Sequence, residues 1–398
     1  GSPMVLAGGT VDLLDVNNSS TRPIFNYKVT VMEGTESTVM GTVRGAINGS
    51  FTGKGNLIIV SDGVRNDIGA NFSAFEGRLT ARGSNFRLMD NVLDMSKTRL
   101  VIDDGAIVSH YASNGSATRA VTTKIGSVES DASDCTLGNG ADSYEVGFNN
   151  DDATYDGLLK AKSITKRGTG VWTLTSSGST SSVTVAEGNL RMSNSRLSST
   201  PSAFTTGTVT VNAGGTLSGT GGASTVVVNK GGVIAAASET GYGTLKATGR
   251  VTLNAGSTIV VKIGATATGS ATNDKYNFND SLLHNGDPIL VKVAPERVLA
   301  AGDEISVFIG KGAQKGNYVL VTECDDRTIE WDDTALLTEG VLKVASVTGI
   351  KNVGSDAQTV DVYSVDGVKL RVGVAREHAL DGLAPNVYIV DGEKVIKD

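Results

Sequence analysis

The sequence predicts an all-β protein: a parallel β-solenoid over most of the chain, followed by a small antiparallel β-sandwich. Three observations carry this. Short runs of Val, Thr, Ile and Leu alternate apolar and polar with period two, and Gly, Asn, Asp and Ser punctuate them. One nonapeptide pattern recurs in constant phase. The 398 residues include 50 Gly, about 13% against a usual ~7%, but only 6 Pro and 5% aromatic residues. Small side chains suit the narrow cross-section of a coil.

The same figures exclude other classes. Gly without a G-X-Y period is not collagen. Apolar residues at 39% with a net charge of −7 argue against wholesale disorder. No apolar run approaches the ~18 residues of a membrane span. A pI near 5.2 without Lys/Arg clusters excludes nucleic acid as the expected partner.

Along the chain, Gly1-Ser2-Pro3-Met4 reads as a cloning remnant outside the fold, with no signal peptide after it. The chain is expected to be a piece of a larger exported protein. Residues 4–345 read as the solenoid. Its clearest copies are Val209-Thr210-Val211-Asn212-Ala213-Gly214-Gly215-Thr216-Leu217, Val226-Val227-Val228-Asn229-Lys230-Gly231-Gly232-Val233-Ile234 and Val251-Thr252-Leu253-Asn254-Ala255-Gly256-Ser257-Thr258-Ile259. Looser copies run from Val183 to Leu190 and from Leu100 to Ile107. The corner Asn steps by 17 residues (212 to 229) and then 25 (229 to 254). Steps of that size make one coil of roughly 20 residues with variable loops. Asn or Asp followed by Gly supplies the positive-φ positions of a sharp corner, and stacked corners predict an amide ladder. An antiparallel sandwich of hairpins explains the alternation but not the recurrence in one phase.

The stretch Ile164-Thr165-Lys166-Arg167-Gly168-Thr169-Gly170-Val171-Trp172-Thr173-Leu174-Thr175 resembles the autotransporter-associated β-strand repeat. It follows the turn Ala153-Thr154-Tyr155-Asp156-Gly157 and precedes the rung Val183 to Leu190. A weaker copy spans Phe51 to Leu57 and Asn71 to Gly77. Gly215 to Gly221 and Leu299-Ala300-Ala301-Gly302-Asp303-Glu304-Ile305 resemble the closing coils of autotransporter passengers. The resemblance covers roughly residues 40 to 345. It implies a right-handed parallel β-helix and no particular chemistry, because the repeat occurs in adhesins, enzymes and spacers.

Residues 346–398 differ in texture. Asp366-Gly367 and Asp391-Gly392 are hairpin signals between alternating strands, which predicts the small sandwich. The segments Asp361 to Leu370 and Leu383 to Lys397 resemble the C-terminal sorting-type module of secreted Bacteroidota proteins, with Asn386 where that pattern usually has Gly. That resemblance implies a secreted or outer-membrane-surface protein whose export machinery, type IX-like, engages this module. A cap over the last coil is the alternative role.

Candidate sites are few. Cys135 and Cys324 allow one long-range disulfide or two thiols, and His110, His284 and His378 each stand alone in sequence. No cofactor and no metal are expected. Asp103-Asp104, Asp151-Asp152, Asp325-Asp326 and Asp332-Asp333 are acidic pairs, of which Asp103 occupies a corner position. The stretch Asn273 to Asp280 is rich in oxygen ligands but lacks cation-loop spacing. Trp172 is expected in the core. Trp331 and Tyr155 are the candidate ligand-binding residues, as flat platforms for sugar rings, and no residue is a catalytic candidate. These features predict a non-catalytic, adhesin-like or glycan-binding stalk of about ten coils, near ~50 Å long at ~4.8 Å each, its ligand a host or dietary glycan. The alternative is a polysaccharide lyase or glycoside hydrolase, which needs Asp, Lys and Arg from successive coils to meet in a groove. No such set is evident at coil spacing.

Overall fold

The fold is given by a computed structural model that describes residues 3–13, 23–41, 44–90, 92–111, 121–175, 178–193, 205–266, 268–325, 327–348, 359–390 and 393–397. It is all-β, dominated by one large, mainly parallel sheet system. The recurrent motif decides the pairing. Val209 lies in parallel register with Val226, Val226 with Val251, and Val251 with Leu282. A second ladder runs from Trp172 through Leu190, Leu217, Ile234 and Ile259 to Ile289. A third joins Gly222–Ala223, Thr244–Ala247 and Lys275–Phe278. Each successive strand therefore lands on the one about a coil length earlier. Among the described residues between 94 and 260 every strand pairing is parallel, with the isolated bridge Gly219–Ala237 the antiparallel exception.

Period-two alternation turns alternate side chains inward. The column Trp172, Leu190, Leu217, Ile234, Ile259 and Ile289 is buried throughout. So are Val185, Val211, Val228 and Leu253 in the neighbouring column. Fully burying such side chains contributes about 1.5–3 kcal/mol each before entropy. Near the N-terminal end the same stacking is aromatic, with Phe25, Phe51 and Phe72 ring centroids 6.1 and 4.9 Å apart. The expected amide ladder is present. Asn229 Nδ2 donates to Asn212 Oδ1 at 2.9 Å and Asn254 Nδ2 to Asn229 Oδ1 at 3.0 Å. Asn285 extends it, donating to Asn254 Oδ1 at 3.4 Å. The corner glycines Gly214, Gly231 and Gly256 have φ of 80°, 77° and 78°, the left-handed conformation the corner requires.

Four sequence expectations change. Pro3 and Met4 are not outside the fold: they open the strand Pro3–Leu6, paired with Lys28 and Val29. Within residues 4–345, the closing segment is not a parallel rung throughout. Glu304–Ser306 and Thr328–Asp332 both pair antiparallel with Val341–Thr348. The short helix Leu336–Glu339 makes the reversal, ending at Gly340 with φ +74°. In residues 346–398 the described strands form one four-stranded antiparallel sheet rather than two layers. Its small core of Val360, Val362, Tyr388 and Val390 packs on Leu380 and Leu383, so an irregular segment stands where a second sheet was expected. The Asp366-Gly367 turn is formed, with Gly367 N–H donating to Ser364 O; Asp391-Gly392 lies outside the described residues. Cys135 and Cys324 are both free thiols, so the disulfide alternative fails. Among the described residues no helix is long and apolar enough to cross a membrane.

Candidate functional site

Parallel, in-register stacking sets residues about 20 positions apart side by side. Around Leu79, Leu100, Val128, Trp172 and Leu190 the inward positions are apolar and buried. Their neighbours in sequence point outward. Arg78 is in register with Arg99, Val101 with Glu129, Thr154 with Thr173, and Thr173 with Arg191. The parallel bridge Ser130–Tyr155 joins the two halves. The outcome is a cleft of about 400 Å³ on the outer sheet face, lined by Arg78, Arg99, Glu129, Asp131, Asp152 and Arg191 among others. A second hollow of about 490 Å³ shares Arg78 and Arg99 and adds Lys54, Glu76, Lys97, Phe148 and Asp151.

The charges are not equivalent. Arg99 Nε donates to Glu129 Oε1 at 2.7 Å, which holds the guanidinium protonated more firmly than usual. Glu76 takes Lys97 at 3.0 Å and Lys54 at 3.8 Å, and the hydrogen bond from Lys97 lowers its carboxyl below the ordinary range. Asp152 Oδ1 accepts the Val171 N–H at 2.7 Å, and Asn150 Oδ1 accepts that of Thr169 at 2.9 Å. These bonds hold the 149–152 turn as the cleft wall. The guanidiniums of Arg78 and Arg191 carry no ion pair or hydrogen bond among the described residues, and Arg191 Nε is buried with no acceptor. The cleft can therefore bind an extended polar ligand. Its lining contains no His to serve as a general base and no Cys to serve as a nucleophile.

The structure separates the two sequence candidates. Tyr155 is 1% exposed, and its hydroxyl donates to Leu158 O at 3.2 Å. It belongs to the core beneath the cleft and offers no face to a sugar, which corrects its assignment. Trp331 is half-buried against the core, its indole N–H on Thr322 Oγ1 at 2.9 Å, in the antiparallel sheet rather than in the cleft. Trp172 is buried as expected, donating to Val128 O.

The acidic pairs serve local structure. Asp103 takes Arg82 at 2.9 Å, Asp104 has φ 52° at the corner, Asp332 accepts from Thr334, and Asp333 accepts the Tyr318 hydroxyl. Asp326 lies outside the described residues. Asp274, in the oxygen-rich stretch, is buried against Lys262 at 2.9 Å. Asp142, 32 positions on, accepts the backbone N–H of His110, whereas Asp287 and Asp381 pair with His284 and His378 from only three residues further along.

The convergence that sequence reading did not find is Arg78, Arg99, Glu129, Asp131, Asp152 and Arg191. A signal existed in the repeated pair Arg78-Leu79 and Arg99-Leu100, with Leu190-Arg191 its mirror. Unequal coil lengths hid the shared register. No family model matches the chain, and none of the curated proteins compared with it matches it. Fold and cleft therefore carry the functional reading.

Proposed function

We propose that the chain is a non-catalytic, secreted or cell-surface stalk that binds a glycan in the Arg78–Arg191 cleft. The single observation that carries the reading is a cleft whose charged lining is drawn from successive parallel layers of one outward sheet face. The layers are read as a right-handed parallel β-helix of autotransporter-like repeats. Three ladders advancing together, with the corner Asn stacked, favour that over any sandwich. About fourteen layers at ~4.8 Å each make a stiff rod of roughly 60 Å. Such a rod holds its outward rows at fixed spacing and binds with little ordering cost, the condition an adhesin needs.

The C-terminal sheet is read as a sorting module of the Bacteroidota type. Deleting residues 346–398 from the gene in such a host is expected to leave the protein inside the cell; undiminished export overturns that assignment. A glycan array probed with the whole chain tests the binding role, with loss of signal in Arg78→Ala expected. Silence across the array leaves only the scaffold. The alternative, a polysaccharide lyase or glycoside hydrolase, gains from the meeting of carboxylates and guanidiniums in one cleft. New reducing ends or an unsaturated-product absorbance during incubation with glycans would establish it.

A further inference from the structure

We infer that the ligand of this cleft is an acidic glycan in which carboxylate-bearing sugars are separated by neutral ones. Arg78 and Arg191 take the carboxylates, and Asp131 and Asp152 accept the intervening hydroxyls. The inference rests on the reading of the cleft as a glycan site and adds the chemistry of the glycan.

The distribution of satisfied and unsatisfied charge supports it. Five layers separate Arg78 from Arg191, about 24 Å at ~4.8 Å per layer. Both guanidiniums are without an ion pair among the described residues, and the buried Nε of Arg191 has an N–H with no acceptor. A neutral chain laid over them would strip their water and return no counter-charge. A carboxylate returns two parallel acceptors to each fork. Arg99, between them, is already committed to Glu129 and is not free to take another anion. The middle of the cleft carries Asp131 and Asp152, both exposed. These repel a chain charged at every sugar and accept hydroxyl donors from a neutral one. Anions are thus favoured at the two ends and disfavoured between them.

Titration calorimetry of the whole chain tests this with three decasaccharide probes: alternating glucuronate and N-acetylglucosamine, oligogalacturonate, and neutral dextran. The alternating acidic probe is expected to bind tightest. Arg78→Gln and Arg191→Gln should each weaken it roughly ten-fold, the loss expected of a charge-assisted pair. Arg78 is exposed, so its variant keeps the test sound if Arg191→Gln fails to fold. Oligogalacturonate binding tighter than the alternating probe overturns the separated-charge inference. Dextran binding equally, or unchanged affinity in both variants, overturns the acidic ligand but leaves a glycan site. No binding by any probe overturns both.

Discussion

Asn229 sits mid-ladder at the corner, bonded to Asn212 below and Asn254 above. Asn229→Ala removes both bonds and strands two half-buried amides, so a loss of about 1–3 kcal/mol is expected in urea unfolding. Lys166 illustrates a harsher site. Its Nζ is buried and donates to the Arg167 and Gly168 carbonyls, and burial pushes the ammonium down to about 8. The unfolded chain keeps an ordinary lysine near ~10.4, so between these values it binds more protons than the native state. Stability is therefore expected to rise with pH from about 8 to about 10.5, and Lys166→Met should flatten that rise relative to the parent. Asp274 gives the opposite slope. Burial raises its carboxyl from 3.8 to about 6 despite Lys262, so the native state binds more protons in that window and stability falls as pH rises through it. Asp274→Asn should remove this slope. The corner Asn were legible because their neighbours repeat. The buried partners of Lys166 and Asp274 were not, since backbone carbonyls and a residue 12 positions away leave no local pattern.

At the scale of the element, each strand is short and holds its place only through its column. Ile234 is buried between Leu217 and Ile259. Ile234→Ala is expected to cost about 2–5 kcal/mol, read from the denaturant midpoint, because stacked neighbours on both sides cannot collapse into the gap. Strand existence was readable wherever apolar alternation met an Asn-x-Gly corner. Strand direction was not: Ile305 lies in a stretch that reads as a rung, yet it pairs antiparallel with Leu342. Alternation is the same in either direction, so only the return of Val341–Thr348 decides it.

At the scale of the molecule, stacked layers predict that whole layers can be removed. Deleting residues 212–228, one 17-residue step, joins Val211 to Asn229 and preserves the corner, since Val211 and Val228 share a register. That variant is expected to fold with parent-like far-UV circular dichroism and a single, lower thermal transition. Deleting only residues 212–220 removes a corner and the strand Gly215–Gly219 without closing the layer, so it should lower the transition further than the whole-step deletion does. Equal behaviour of the two deletions would count against the layered arrangement.

Strand content, corners and the rows of inward side chains follow from the residue order alone, because these depend on backbone conformation and on alternation within a few residues. Which outward residues share a cleft follows from the stacking of the layers. Arg78, Arg99, Glu129 and Arg191 come to line one cleft through coils of unequal length, and the register that aligns them is set by packing across layers rather than by any local preference.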